Sequence, residues 1–385
     1  MKIAQVTLFV VQIPFKQPFR HALATRHFAE NVIVEVRSEE GVLGYGEALP
    51  REYVTGESID SVLDCLERYW VPSLWEKEWK TPSEVFPFLA SWHDIIYKKY
   101  KVNDSNMLSS RCALELSLLD TLGKFFYINV AKLLNMNSCL PELRYSGVIS
   151  GDSLKKAKRK AFLMKLYQFQ DVKLKVGDEE DLEKVRAVRA ILGSKRDLRV
   201  DANGAWTAEQ ALEKIRAFEP FGVSAVEQPV SKNNLVGLKQ VTEASPIPIV
   251  ADESLCSLED AKMLCETKGC DILNIRLSKC GGLYYAEEIA ALAHQAQLGI
   301  QLGCQVGETA ILASAGRIFA QCHPELKFLE GSYERFLLQR DIAKKPVRFY
   351  YGGKAKPCLG PGLGMEVDLN RLYPFIIKKI ELKRS

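Results

Sequence analysis

Between residues 172 and 254, four short apolar runs each finish in charged or amide side chains: VKLKV (172–176), LRVDAN (198–203), AVEQP (225–229) and IVADES (249–254). Runs this short, rich in Val, Leu and Ile, read as strands of a parallel sheet covered on both faces. Working outward gives eight strand candidates: Tyr145–Ile149, Val172–Val176, Leu198–Asp201, Ala225–Glu227, Pro248–Ala251, Ile272–Ile275, Gly299–Leu302 and Lys327–Leu329. Amphipathic stretches such as Glu180–Leu192, Ala208–Phe218, Leu258–Thr267 and Tyr284–Gln297 lie between them. Strands joined by right-handed helical crossovers, spaced about 26 residues apart, predict an α/β fold closed as a (β/α)8 TIM barrel. An open doubly wound sheet is the alternative, disfavoured because no GxGxxG follows the first strand.

The flanks have another texture. An apolar, alternating N-terminus is followed by a hairpin pattern, NVIVEV (31–36), the turn EEG (39–41) and VLGYG (42–46). Loops are expected at Phe15–Arg26 and Pro50–Glu57, and helical periods dominate from Ser58 to Leu134, with Cys112, Leu114, Leu116, Leu118 and Leu119 in one longer helix. After the barrel come apolar Val347–Tyr351, a Gly/Pro turn at Pro357–Gly364 and a strand-like Phe375–Leu382. The expected organisation is an α+β capping domain over 1–135, a barrel over 136–340, and a segment, 341–385, that returns to the cap.

With 385 residues, 47% of them hydrophobic, the chain can bury a large core, which excludes a disordered or fibrous protein. The net charge is only +4 and no block of five or six like charges is read, so neither a nucleic-acid nor a membrane partner is expected. The N-terminus lacks the pattern of a signal peptide, and no apolar run reaches the ~20 residues of a membrane span. Ten cysteines without a CxxC pair fit reduced thiols of a cytoplasmic protein.

Chemistry collects at the C-terminal ends of barrel strands. Asp201, Glu227 and Asp252 end three successive strand candidates, so their carboxylates should converge, and like charges that close need a counter-charge. Three carboxylates without His or Cys suit Mg²⁺, or Mn²⁺, rather than zinc. An ion-pair network with Lys173, Lys175 and Lys279 is the plainer reading, and for a single acid it would be preferred. Strand alternation turns Lys173 and Lys175 to one side, while Lys279 follows the sixth strand and approaches from across the barrel. A lysine whose charge is disfavoured by a neighbouring ammonium and a divalent cation can accept a proton. A metal with bases on two faces suits removal of the unactivated proton α to a carboxylate, leaving an enediolate that needs localised positive charge.

At these residues the chain resembles the enolase superfamily, in its muconate lactonizing enzyme branch. The matching segments are Lys173-Leu174-Lys175, Asp201 to Trp206, Val226 to Pro229, Ala251 to Ser254 and Lys279 to Gly282, with Gly44 to Glu47 and Ala113–Gly123 resembling the cap. The resemblance implies Asp201, Glu227 and Asp252 as Mg²⁺ ligands and Lys175 and Lys279 as an acid/base pair. It further implies Lys173 as the residue that stabilises the enolate and lowers the pKa of Lys175, with Asn203 and Glu253 orienting these groups. The mandelate racemase branch uses a late His-Asp dyad; here GIQLGCQVGE (299–308) has no histidine, and His294 and His323 are read as structural. Substrate contacts are expected from the capping loops and the last strand ends: Arg20, Arg26, Arg51, Tyr53, Glu308 and Glu330. Where dipeptide epimerases of this branch carry Asp-x-Asp, residues 328–334 read FLEGSYE.

The sequence thus predicts a Mg²⁺-dependent isomerase of a small carboxylic acid or amino-acid derivative, a racemase, epimerase or cycloisomerase. A dehydratase of the o-succinylbenzoate synthase type and a non-catalytic barrel serving in binding or structure are the competing readings. The resemblance also implies a homo-oligomer.

Overall fold

The computed structural model describes every residue except 22–23, 103–106, 138–139, 151–152 and 385, and no side chain from 19 to 25. Strands β1 (Ile3–His21), β2 (Ala24–Ser38) and β3 (Leu43–Ala48) form an antiparallel meander in which Val10 pairs with Val32 and Val34 with Gly46. The loop expected at Phe15–Arg26 is instead an extension of the β1/β2 hairpin. A register shift between Pro14 and Phe19 absorbs the interruption, and pairing resumes with Phe19 opposite Arg26. Such a bulge hides the strand from a pattern reading, because the alternation slips where the extra residues sit. The expected loop at Pro50–Glu57 holds a short helix, Glu52–Thr55.

Helix Leu108–Phe125 lies across this sheet at very close range, since a Cβ added to Gly46 would meet the Ala113 carbonyl oxygen at 1.8 Å. Every residue from Leu108 to Gly123 is buried, so the leucines read from the sequence occupy the layer between cap and barrel.

Strand β4 (Leu143–Arg144) pairs with β13 (Lys354–Ala355) outside the main sheets. The eight parallel strands between are β5 (Gly147–Ile149), β6 (Asp171–Lys175), β7 (Asp197–Asp201), β8 (Val226–Glu227), β9 (Ile249–Ala251), β10 (Ile272–Ile275), β11 (Gly299–Leu302) and β12 (Phe328–Leu329), hydrogen-bonded in sequence order. The sheet curls into a barrel: the Ser146 N–H, just before β5, donates to the Leu329 carbonyl of β12 at 2.8 Å. Several crossover helices start at side-chain caps, including the reciprocal Thr207/Gln210 and Ser257/Asp260 pairs, while Asp181–Leu192 and Leu283–Gln295 start without one, and they bury apolar positions such as Ala211, Ile215 and Phe218. At the C-terminus β14 (Ile376–Lys383) pairs antiparallel with β1, Leu8 facing Ile380, as the fourth strand of that sheet.

Contrary to the even spread of charge expected, one basic block is present. Helix Leu154–Leu166 carries Lys155, Lys156, Lys158, Arg159 and Lys160, five cations in six positions broken only by buried Ala157. Among the described residues no helix is long and apolar enough to cross a membrane, and all nine described cysteines are free.

Candidate active site

Strand register assembles the site. Lys175 on β6 pairs with Asp201 on β7, Asp201 pairs with Glu227 on β8, and Glu227 pairs with Val250, two residues before Asp252. The three acids therefore occupy neighbouring strand ends, and all are almost wholly buried. Lys173 points into the barrel below them, its Nζ 3.4 Å from Asp201 Oδ2, 3.1 Å from Glu227 Oε1 and 2.7 Å from Glu330 Oε1. Asn274 Nδ2 and Gln301 Nε2 donate to the two oxygens of Glu227 at 3.2 and 3.0 Å. Glu330 is also held by Arg199, whose Nη2 donates at 2.5 Å while its guanidinium lies 4.4 Å over the Phe328 ring.

The electrostatics follow from this packing. Burial presses against the charge of Lys173, but Glu227, Glu330 and Asp201 outweigh it and hold the ammonium well above its ordinary pKa. Lys173 is thus built to stay charged, which fits an electrostatic part and not that of a base. Burial also opposes ionisation of Glu330, yet Lys173 and Arg199 pull it down to about 2. Asp201 is likewise held well below the carboxylate range by Lys175, Lys173 and Arg276 against its burial.

Lys175 and Lys279 bracket the acids. Lys175 is part-exposed, and its Nζ donates to Asn203 Oδ1 at 2.7 Å and lies 3.5 Å from Asp201 Oδ2. Lys279 is in the short helix Leu277–Cys280 after β10, four strands round the barrel from β6. It is fully buried, donating to the Asp252 carbonyl at 2.5 Å, Asp252 Oδ1 at 3.1 Å and the Asn274 carbonyl at 3.2 Å. Burial pushes the Lys279 pKa down.

The donor set fits a hard divalent cation in its chemistry: three buried carboxylates, with Asp201 Oδ2 accepting no hydrogen bond among the described residues and facing the Lys173 and Lys175 ammonium groups at 3.4 and 3.5 Å. Among the described residues, however, no three acids already close on one point. The space between them is occupied by cationic side chains, Lys173 on one side and on the other Arg276, which donates through Nη2 to Asp252 Oδ2 and lies 3.9 Å from Glu227 Oε1.

The remaining expected residues are placed as follows. Asn203 takes a positive φ of 45° and donates through Nδ2 to Glu253 Oε1 at 3.2 Å, so both stand beside Lys175. Burial, with Asp201 nearby, raises the Glu253 pKa. Arg26 stacks over Tyr53 at 5.5 Å, and Arg51 reaches from the cap to the Val306 carbonyl at 2.8 Å. Burial and the charge of Arg26 press Arg51 down to about 10, with Tyr53 and Glu308 in electrostatic range. Glu308 accepts the Gln305 N–H at 2.7 Å and is raised to about 8 by burial. Glu308 and Glu330 line one small void, about 10 Å³, near the size of a single water. The Arg20 side chain lies outside those described. His323 sits between Glu287 and Glu325, 2.7 Å from each, away from the strand ends.

Sequence reasoning missed Arg199, Asn274, Arg276 and Gln301. The i, i+2 rule applied to Lys173 and Lys175 would have flagged Asn274 and Arg276, since a polar residue inside ILNI must find a partner. Glu47 was also missed as a link from cap to barrel, and Glu57 as a link between two parts of the cap. Glu47 accepts the N–H groups of Thr309 and Leu312, at 2.9 and 3.1 Å, at the start of helix Ala310–Cys322. Glu57 does the same for Ser109 at the start of helix Leu108–Phe125.

Comparison with known proteins agrees with this architecture. A family model described as Enolase C-terminal domain-like matches residues 155–371, and one described as Mandelate racemase / muconate lactonizing enzyme, N-terminal domain, matches 3–135. An L-Ala-D/L-Glu epimerase of Bacillus subtilis is 32% identical over 95% of this chain and 97% of its own. The crystal structure of N-succinyl Arg/Lys racemase from Bacillus cereus superposes with a TM-score of 0.89, covering 100% of both chains at 25% identity. That of a dipeptide epimerase from Cytophaga hutchinsonii, complexed with Mg and the dipeptide D-Ala-L-Val, gives 0.84 over 99% of this chain and 100% of its own, at 27% identity. These relatives are isomerases, and the chain belongs with them to the mandelate racemase/muconate lactonizing enzyme family of the enolase superfamily.

Proposed function

We propose that this isomerase interconverts the two configurations of a carbon α to a carboxylate, in a small amino-acid derivative, by abstracting and returning one proton. The observation that carries the reading is the order of side chains round the barrel rim: Lys175, then Asp201, Glu227 and Asp252 on consecutive strands, then Lys279. Asp201, Glu227 and Asp252 would hold Mg²⁺, or Mn²⁺, which when bound neutralises the substrate carboxylate and the charge that builds on it. The presence of Mg in the Cytophaga hutchinsonii dipeptide epimerase supports that choice.

The chain's own residues supply the rest. Lys175 is oriented by Asn203 and Lys279 by Asp252 and Asn274, so one amine takes the α proton from one face and the other delivers one to the opposite face. Lys173, held charged by three carboxylates, adds fixed positive charge on the side where the enediolate develops. Arg26, Tyr53, Arg51 and Glu308 sit where cap meets barrel and would read the distal end of the substrate. Nine free cysteines among the described residues support a reducing, cytoplasmic setting.

The test uses N-acyl amino acids and dipeptides of both configurations in D₂O with Mg²⁺. Lys175→Ala is expected to lose α-proton exchange from one configuration and Lys279→Ala from the other, each by at least ~100-fold. Equal loss from both configurations in both variants would overturn the two-face arrangement.

A further inference from the structure

Arg276 follows β10 directly and is turned inward by the same alternation that brings Asn274 onto Glu227. Its guanidinium donates to Asp252 Oδ2, while Lys279 holds Asp252 Oδ1 at 3.1 Å. Both carboxylate oxygens of Asp252 are therefore engaged by cations, and neither can serve a metal fully until one cation withdraws.

The two are not equally free to leave. Lys279 is also anchored by the carbonyls of Asp252 and Asn274, at 2.5 and 3.2 Å. Among the described residues Arg276 has no second hydrogen-bond acceptor, Glu227 Oε1 lying 3.9 Å away, and its buried Nε donates to none of them. A destination lies close by: Glu308 lines the same small void as Leu277, the residue next to Arg276 in the chain, and among the described residues its carboxylate accepts one hydrogen bond, from the Gln305 N–H at 2.7 Å. The neighbouring Arg51 is committed to the carbonyls of Pro50 and Val306, both at 2.8 Å, so it does not neutralise Glu308 by direct contact.

We propose that Arg276 is a displaceable counter-cation of the carboxylate site: it neutralises Asp252 until a divalent cation arrives, then yields Asp252 and turns toward Glu308. The inference rests on the reading of Asp201, Glu227 and Asp252 as metal ligands. It makes Arg276 a positioning residue that sets metal affinity, with Glu308 as the second station of a two-position side chain.

Calorimetric titration of the full chain with Mg²⁺ alone tests it. Arg276→Ala removes the competitor and is expected to bind Mg²⁺ at least tenfold tighter than the unmodified protein. Arg276→Lys, a shorter cation without the planar fork, should fall between the two, and that ranking preserves the test should the alanine variant fold poorly. Glu308→Gln removes the second station and should weaken binding about threefold or more, an effect that vanishes in the Arg276→Ala background. Unchanged or weaker binding in both Arg276 variants, or an equal Glu308→Gln effect in both backgrounds, would overturn the proposal while leaving the metal site standing. No Mg²⁺ binding by the unmodified protein, or undiminished binding by Asp252→Asn, would instead refute the metal site and the proposal with it.

Discussion

Glu47 offers a quantitative test of how the cap is fastened to the barrel. Its carboxylate comes from β3, is fully buried, and accepts from Thr309 N–H and Oγ1, Leu312 N–H and Asn31 Nδ2. Burial nevertheless outweighs these donors, and the group is raised from 4.5 to about 7 in the fold. The folded chain therefore binds the proton more tightly than the unfolded chain. The associated stability is fully present below pH 4.5 and is lost as pH rises through about 7. At 1.36 kcal/mol per pKa unit, the loss between pH 4.5 and 8 is about 3 kcal/mol. Glu47→Gln keeps the shape but cannot ionise, and its amide sets a donor against a donor at the helix start, costing about 1–3 kcal/mol. Urea unfolding of both proteins should then show the variant less stable at pH 5 by that amount, with the gap closing or reversing by pH 8. A gap constant within ~0.5 kcal/mol across this range would refute the burial argument, because only a titrating Glu47 makes it move.

Three further outcomes follow from contacts described above. Gly46→Ala sets a methyl group 1.8 Å from the Ala113 carbonyl oxygen, so thermal unfolding should show a loss of at least ~3 kcal/mol or no folded protein; a change below ~1 kcal/mol would show that helix Leu108–Phe125 is free to retreat. Lys173→Met strips the ammonium from Asp201, Glu227 and Glu330 and should cost about 3–5 kcal/mol at pH 7, less at pH 4 as carboxylates protonate; an equal cost at both pH values would argue that the loss is one of packing. Asp201→Asn and Glu227→Gln should each lower the exchange rate at least ~1000-fold and weaken Mg²⁺ binding in calorimetry; retained binding in both would remove those residues from the ligand set.

Much of the barrel was legible because its strands are short, apolar and sharply ended. Ile272–Ile275 and Gly299–Leu302 match β10 and β11, and the other strand candidates overlap theirs within two residues. Helix starts were readable where Thr207 and Ser257 offer local caps. The acids and lysines stood out because charge inside an apolar strand needs a reason. What escaped were partners supplied from far along the chain. Nothing local in GYGEA tells that Glu47 caps a helix beginning 263 residues later at Ala310, and Arg199 acquires meaning only once Glu330 lies opposite it across the closed barrel. The β1/β2 extension escaped because its register slips at the Pro14–Phe19 bulge.

The decisive step is removal, at this rim, of a proton from a carbon next to a carboxylate with help from a divalent ion. Mass spectrometry of N-acyl amino acids and dipeptides incubated with the protein in D₂O reads that step directly. With Mg²⁺ present, deuterium is expected at the α position of at least one substrate class, and chelation by EDTA should abolish it. Incorporation that continues undiminished in EDTA, or none anywhere in the panel with Mg²⁺ supplied, would contradict it.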